Sequence, residues 1–375
     1  MPEATQSLTH FQEHLPQSDE FERIVLESIP LIDVRAPVEF HQGAFEMAQN
    51  LPLMNDAERE QVGICYKQKG HEKAVQLGHQ LVNQTVREPR VAGWQAFIDQ
   101  HPQAMLYCFR GGMRSKIAQQ WLADSGYDIV RLKGGYKAFR RYLIDTLEHM
   151  PQRLLDDGVQ PLVLSGRTGC GKTLLLQTLD NAIDLEGLAN HRGSAFGRHV
   201  TPQPTQINFE NNLAMAMIRF QAQNHASLVL EDEARNIGSV SLSKPLFEFF
   251  KGGKHVVLET PLAERIAITR AEYVQEAQAE YDDFDAWLAF MHAAFDRIRK
   301  RLGGERYQRV LHAFDQACEH QQKTEGLEGH DEWIRILLTE YYDPMYDYQI
   351  QKKQAKIDFS GDADAVREYL REQDT

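Results

Sequence analysis

The sequence predicts an α/β protein of two domains on parallel sheets, the second continuing into a helical C-terminal part. Three observations lead there. The chain has 375 residues, against about 150 for a common single domain. Short apolar runs rich in β-branched residues alternate with helix-period patterns through both halves, as parallel strands with helical crossovers require. In each half, one such run stops at a glycine-rich loop and a helical pattern follows at once.

Taken in order, residues 29–34 read as a strand ending at Asp33-Val34-Arg35, with helical patterns at about 72–86 and 91–100. Residues 104–107 form a short buried strand running into a cysteine loop; 115–125 is a helix, 129–132 a strand and 136–147 a closing helix. The stretch from Met150-Pro151 to Asp156-Asp157-Gly158 reads as a polar junction broken by proline and glycine, so the domains are expected at 1–149 and 150–375. The second half restarts with a strand at 161–165, a second glycine loop and a helix at 172–179. Strands at 228–230 and 255–258 each stop at carboxylates, and from Pro261 the pattern is mostly helical, at 285–301, 306–319 and 332–342. The last twenty or so residues are charged and are expected to be loosely held.

Composition narrows the function classes. No apolar run approaches the ~20 residues of a membrane span, and the first twenty residues are polar and acidic, unlike a secretory signal. Cys65, Cys108, Cys170 and Cys318 lie far apart with no C-x-x-C pair, which argues against a zinc site or disulfide framework and fits a reducing cytoplasm. Net charge is −13, a poor start for nucleic-acid binding, which depends on neutralising phosphates. Two basic clusters temper this: Arg131, Lys133, Lys137, Arg140 and Arg141, then Arg297, Arg299, Lys300, Arg301, Arg306 and Arg309. Each reads first as a solvated helix face; the former, near the junction, is the candidate contact for a polyanion.

The first glycine loop is Tyr107-Cys108-Phe109-Arg110-Gly111-Gly112-Met113-Arg114-Ser115. A cysteine between a strand and a helix start faces inward-turned backbone N–H groups and the positive end of the helix, which favour a thiolate. Arg110 and Arg114 add positive charge, and Gly111 and Gly112 allow close approach of a substrate. A buried cysteine serving only as a small hydrophobe would not need two glycines and two arginines behind it; Cys65 and Cys318 lack such surroundings and read as structural. Cys108 and Arg114 also have the C-x5-R spacing of cysteine phosphatases, with Tyr107 where those usually carry histidine.

The second loop, Gly166-Arg167-Thr168-Gly169-Cys170-Gly171-Lys172-Thr173, matches the P-loop in full. Its backbone N–H groups wrap a phosphate, Lys172 neutralises it and Thr173 can ligate Mg²⁺. Cys170 reads as filler. Leu228-Val229-Leu230-Glu231-Asp232-Glu233 could be an acidic strand end holding magnesium through water, without distinguishing which carboxylate acts; no metal is firmly assigned. The glycines of His191-Arg192-Gly193-Ser194-Ala195-Phe196-Gly197 suggest a mobile loop over bound phosphate, contacted through Arg192 or Arg198, or an ordinary surface loop.

Beyond the cysteine loop, Leu31-Ile32-Asp33-Val34-Arg35 with Glu39-Phe40 and Gly43-Ala44-Phe45, and Leu132-Lys133-Gly134-Gly135-Tyr136, resemble rhodanese sulfurtransferases. Joined to a P-loop domain containing Gly187-Leu188-Ala189-Asn190-His191-Arg192-Gly193-Ser194 and Leu230-Glu231-Asp232-Glu233-Ala234-Arg235, the whole resembles bacterial tRNA 2-selenouridine synthases. The resemblance spans nearly the entire chain and also takes in Asn50-Leu51-Pro52-Leu53, Val62-Gly63 and Tyr66-Lys67. It implies conversion of 2-thiouridine to 2-selenouridine at the tRNA wobble position, with selenophosphate as selenium donor and an S-geranylated intermediate made from geranyl pyrophosphate. By that resemblance Cys108 carries selenium as a perselenide, the arginine-bearing loop holds the phosphate leaving group, and Gly166, Gly171, Lys172 and Thr173 bind the prenyl pyrophosphate. No tightly bound cofactor is implied. Three other readings remain: a P-loop ATPase or kinase with a rhodanese-like sulfur-carrier domain, a cysteine phosphatase fused to a P-loop module, and a non-catalytic tRNA-binding or regulatory protein.

Overall fold

The computed structural model describes residues 15–194, 196–353 and 356–374. The chain separates into two units, Met1–Thr146 with Glu210–Ala222, and Leu147–Phe209 with Gln223–Thr375.

The first unit holds five parallel strands: β1 (Gln17–Ser18), β2 (Leu31–Asp33), β3 (Ala48–Asn50), β4 (Met105–Tyr107) and β5 (Val130–Leu132), in the order β1-β5-β4-β2-β3. Every residue of β2 and β4 is buried, which is why both read as unbroken apolar runs rather than alternations. Their register sets Asp33 opposite Tyr107, so both strands end together and the Cys108 loop emerges at the carboxyl edge of the sheet. The helix at 56–69 is one of several that were not anticipated. Asp56–Lys69 has no buried residue, so no apolar stripe marks it; its Asn55 N-cap accepts from the Glu58 N–H while Glu58 reaches back.

The second unit carries β6 (Gln160–Gly166), β7 (Ala182–Ile183), β8 (Ser227–Glu231), a small antiparallel pair β9 (Asn236–Ile237) and β10 (Val240–Ser241), β11 (Lys254–Leu258) and β12 (Ile357–Gly361). Its main sheet is parallel in the order β12-β11-β6-β8-β7. Register sets Gly166 opposite Leu258 and Leu164 opposite Glu231, bringing the glycine loop and the acidic strand end to one edge.

Two segments differ from the sequence reading. The junction is not broken at Pro151, which lies within a continuous helix, Gly135–Asp156. Buried Met150 and Leu154 hold this turn, and proline forfeits one backbone bond without ending the helix. The charged C-terminus is not loose: β12 extends the sheet and the helix Ala363–Glu372 buries Val366 and Leu370, four residues apart on one face. Asp374 also accepts the Ala226 N–H at 3.0 Å.

The helical part, including Phe284–Leu302, Gly304–Thr324 and Asp331–Leu337, packs around Trp287, Phe295, Phe314 and Trp333, all fully buried. Burial lowers the His330 pKa to about 4, leaving a neutral ring whose Nδ1 accepts the Trp333 indole N–H at 2.9 Å. Nε2 therefore carries the proton and donates to Gln321 Oε1 at 2.9 Å. Among the described residues, no helix is long and apolar enough to cross a membrane.

Candidate functional site

Cys108 follows β4 directly and is 2 % exposed. Its sulfur lies 3.1 Å from Ser115 Oγ, which is also 3.1 Å from the Gly112 carbonyl oxygen. That hydroxyl can donate to Gly112 beside a thiol, or turn its proton to a thiolate. The helix Met113–Asp124 starts with no side-chain cap at Gly112, so its first N–H groups remain available to an anion. The loop is held from behind by the glycine turn after β5. Tyr136 and Lys137 donate their backbone N–H groups to the Cys108 and Phe109 carbonyls, both at 2.9 Å.

Arginine roles divide differently from the sequence pattern. Arg114 forms a two-pronged pair with Glu39 at 2.5 and 3.0 Å. Burial would push the Glu39 carboxyl up, but the Arg114 pair outweighs it and holds the pKa below the usual range. Arg110 is exposed, its guanidinium 5.8 Å from the Phe109 ring centroid. Arg131 is a correction: rather than facing solvent, it is 3 % exposed and donates to the Gly111 carbonyl and to Gln119 Oε1. Its partners form a local network that its sequence neighbours could not reveal. The motif around β2 has a comparable role, Arg35 pairing with Asp33 at 2.6 Å, donating to the Gly43 carbonyl and stacking 3.9 Å from the Tyr136 centroid.

The P-loop follows β6 with Gly169 and Gly171 at φ +74° and +85°, conformations that favour glycine. A Cβ at Gly169 would collide with Thr269. Two braces hold the loop: Arg265 donates to the Thr168 carbonyl at 3.0 Å while pairing with Asp343, and Thr260 donates to the Cys170 carbonyl at 2.9 Å. Arg167, within the phosphate-binding loop, pairs with Asp347 at 2.7 Å. Lys172 Nζ lies 3.3 Å from the Gly166 carbonyl. Burial disfavours its charge, but Cys170, Glu186, Glu233 and Glu231 outweigh this and raise its pKa, so the lysine is cationic.

The three carboxylates after β8 go separate ways. Glu231 is buried, accepts the Leu185 N–H at 2.9 Å, and is pushed well above the usual carboxylate range by that burial. Asp232 accepts from Ser165 Oγ at 2.8 Å, so Ser165 in turn accepts from His255 Nδ1 at 2.7 Å. Glu233 meets Glu186, a residue the sequence did not single out. Burial and the hydrogen bond to Glu233 push Glu186 to about 8, so Glu186 holds the proton the two carboxyls share. Burial also pushes Glu272 to about 7. Among the described residues, no three acidic, histidine or cysteine side chains converge as a metal site.

The described residues of the loop at 191–197 are anchored by their side chains. Phe196 is 1 % exposed and packs 5.0 Å from Phe295, Ser194 lies 2.7 Å from the Tyr273 hydroxyl, and Arg192 pairs with Glu280 at 2.7 Å. A Cβ at Gly193 would collide with Glu186, so this loop lies directly on the protonated pair. Tyr346 also escaped the sequence reading: its hydroxyl is buried with no hydrogen-bond partner among the described residues, and Cys170 and Lys172 both act on it. Such residues carry no motif; their only trace is an acidic or phenolic side chain within an apolar stretch, as in Ala271-Glu272-Tyr273-Val274.

A cysteine loop on one parallel sheet and a P-loop on another define a two-domain α/β transferase. A rhodanese-like domain model matches residues 17–142, and the model of the tRNA 2-selenouridine synthase AAA domain matches residues 159–375. The tRNA 2-selenouridine synthase of Hydrogenovibrio crunogenus is 74% identical over 96% of this chain and 99% of its own length. Those of Sulfurovum sp. and Marinobacter nauticus are 54% and 51% identical, over 96% and 95% of this chain and 99% and 98% of their own lengths. The chain belongs to the tRNA 2-selenouridine synthase family.

Proposed function

We propose that this enzyme converts 2-thiouridine to 2-selenouridine at the tRNA wobble position, with selenium drawn from selenophosphate and delivered to the base at the Cys108 loop. The P-loop binds geranyl pyrophosphate, and the base passes through an S-geranylated intermediate. The observation that carries the reading is the coexistence of two intact anion-binding loops in a chain that aligns almost end to end with synthases of that name. In geranylation, the base sulfur attacks the first carbon of the prenyl donor, the carbon–oxygen bond breaks and pyrophosphate leaves with the electron pair. Lys172 and the backbone N–H groups around Gly169 and Gly171 oppose the charge that grows on the leaving oxygen. Thr173 would hold a magnesium ion, which would take its other ligands mainly from phosphate and water. At the other loop, the first turn of the helix Met113–Asp124 and Arg110 would meet the phosphate of selenophosphate.

Nucleoside mass spectrometry tests this on 2-thiouridine tRNA incubated with geranyl pyrophosphate and selenophosphate. Wild type should yield 2-selenouridine; Cys108→Ala should stop at the geranylated base, and Lys172→Ala should leave 2-thiouridine. Untouched base accompanied by ATP consumption would instead make this a P-loop ATPase or kinase with a sulfur-carrier domain.

A further inference from the structure

Beside the Cys108 loop the first unit contains a cavity of about 660 Å³, counted out to its mouth. Its wall is almost wholly apolar, built from Leu53, Met54, Val75, Val82, Ile117 and Trp121. Burial lowers the His79 pKa, so that ring is neutral at pH 7 and adds no charge to the wall. Met113 and Arg114, the first turn of the helix that closes the cysteine loop, also line it, and the next residue, Ser115, contacts the Cys108 sulfur. Cys108, Leu53, Met54 and Val82 belong to one apolar cluster, with Val62, Ile117 and Trp121 packed against it.

The helix over this space is unusual. Asp56–Lys69 buries none of its residues, although Val62 and Tyr66 both line the cavity, and Tyr66 is 57% exposed. An apolar wall to which this helix contributes only half-buried Val62 and exposed Tyr66 is short of hydrocarbon contacts, and each missing contact forfeits dispersion energy. Among the described residues, no lysine or arginine lines it except Arg114, which already pairs with Glu39. A phosphate or nucleotide is therefore a poor occupant, and a hydrocarbon chain a good one.

We propose that this cavity binds the prenyl chain of the S-geranylated base and so holds that base at Cys108. The inference rests on the geranyl reading above and assigns the chain a place in the cysteine-bearing unit. The full-length enzyme would be titrated with anticodon-stem RNAs carrying S-geranyl-2-thiouridine or S-methyl-2-thiouridine at the wobble position. Burying the extra carbons should make wild type prefer the geranylated RNA by about tenfold or more. Val75→Phe and Ile117→Phe, on separate helices, fill the space and should each abolish the preference. The ratio of the two affinities within each variant is the readout, and a thermal melt confirms that the variant is folded. Absence of preference in wild type, or a preference surviving in a folded filled variant, overturns the proposal. Geranylation by wild type from geranyl pyrophosphate is scored separately. If it fails while the preference exists and is lost on filling, the donor assignment falls and the cavity stands; geranylation without preference gives the reverse.

Discussion

At Gly135 the backbone stands at φ +61°, and a Cβ there would run into the Cys108 carbonyl oxygen. Only backbone surrounds that point, so no side chain can move aside. Gly135→Ala should therefore displace the cysteine loop: the 2-selenouridine yield should fall at least tenfold, roughly 1.4 kcal/mol, while geranylated base still accumulates. Equal loss of both products in the mass-spectrometric assay would contradict that assignment. Glu186 makes a prediction in pH. Its folded pKa of about 8 exceeds the ordinary 4.5, so the folded state keeps a proton that the unfolded chain releases. The stability this contributes is complete below about pH 4.5 and is lost as pH rises through about 8. Glu186→Gln stays neutral, so its melting temperature relative to wild type should climb between about pH 4.5 and 8 and level off above that. A flat difference across that range would refute the shared-proton description of Glu186 and Glu233.

Among the elements, the loop at 191–197 depends on one side chain. Phe196 inserts its ring among Tyr273, Phe295 and Trp333, so Phe196→Ala should cost about 3–5 kcal/mol in chemical denaturation. Prenyl pyrophosphate affinity should fall as well, because Gly193 and the carboxyl pair beneath it lose their anchor. Unchanged affinity in the folded variant would separate this loop from the phosphate site. Strands β2, β4, β5, β6, β8 and β11 and both glycine loops were legible in the sequence because each rests on contiguous residues, whereas the short strands β1, β3, β7, β9 and β10 and the edge strand β12 were not. The helix Asp56–Lys69 was not, since it buries nothing and therefore shows no period. Pro151 misled for the opposite reason: local chemistry signals a break, and packing of Met150 and Leu154 overrides it.

For the whole molecule, the basic cluster at 131–141 is divided between packing and solvent. Arg131 is buried, and Arg140 joins Glu210 and Asn211 on the helix Gln206–Gln221, whose residues from Glu210 belong to the first unit. Asn211 and Arg219 extend that attachment to Ala44 and Glu46. Arg140→Ala should therefore lower stability by about 1–3 kcal/mol and leave the salt dependence of tRNA binding unaltered. Lys137 is exposed, and Lys137→Ala should reduce the slope of log K against log salt by about 1 without a stability change. Melting curves and salt titrations of the two variants separate packing from phosphate contact. The sequence alone determined the two parallel-sheet domains, the cysteine loop and the P-loop, because each is written in neighbouring residues and in the periods of strand and helix. Only the tertiary structure decided that Arg114 is held by Glu39, that Glu186 and Glu233 meet beside Lys172, and that an apolar cavity opens by Cys108. Those features join segments far apart in the chain, and their energies come from burial and mutual charge, which exist only once the segments have packed.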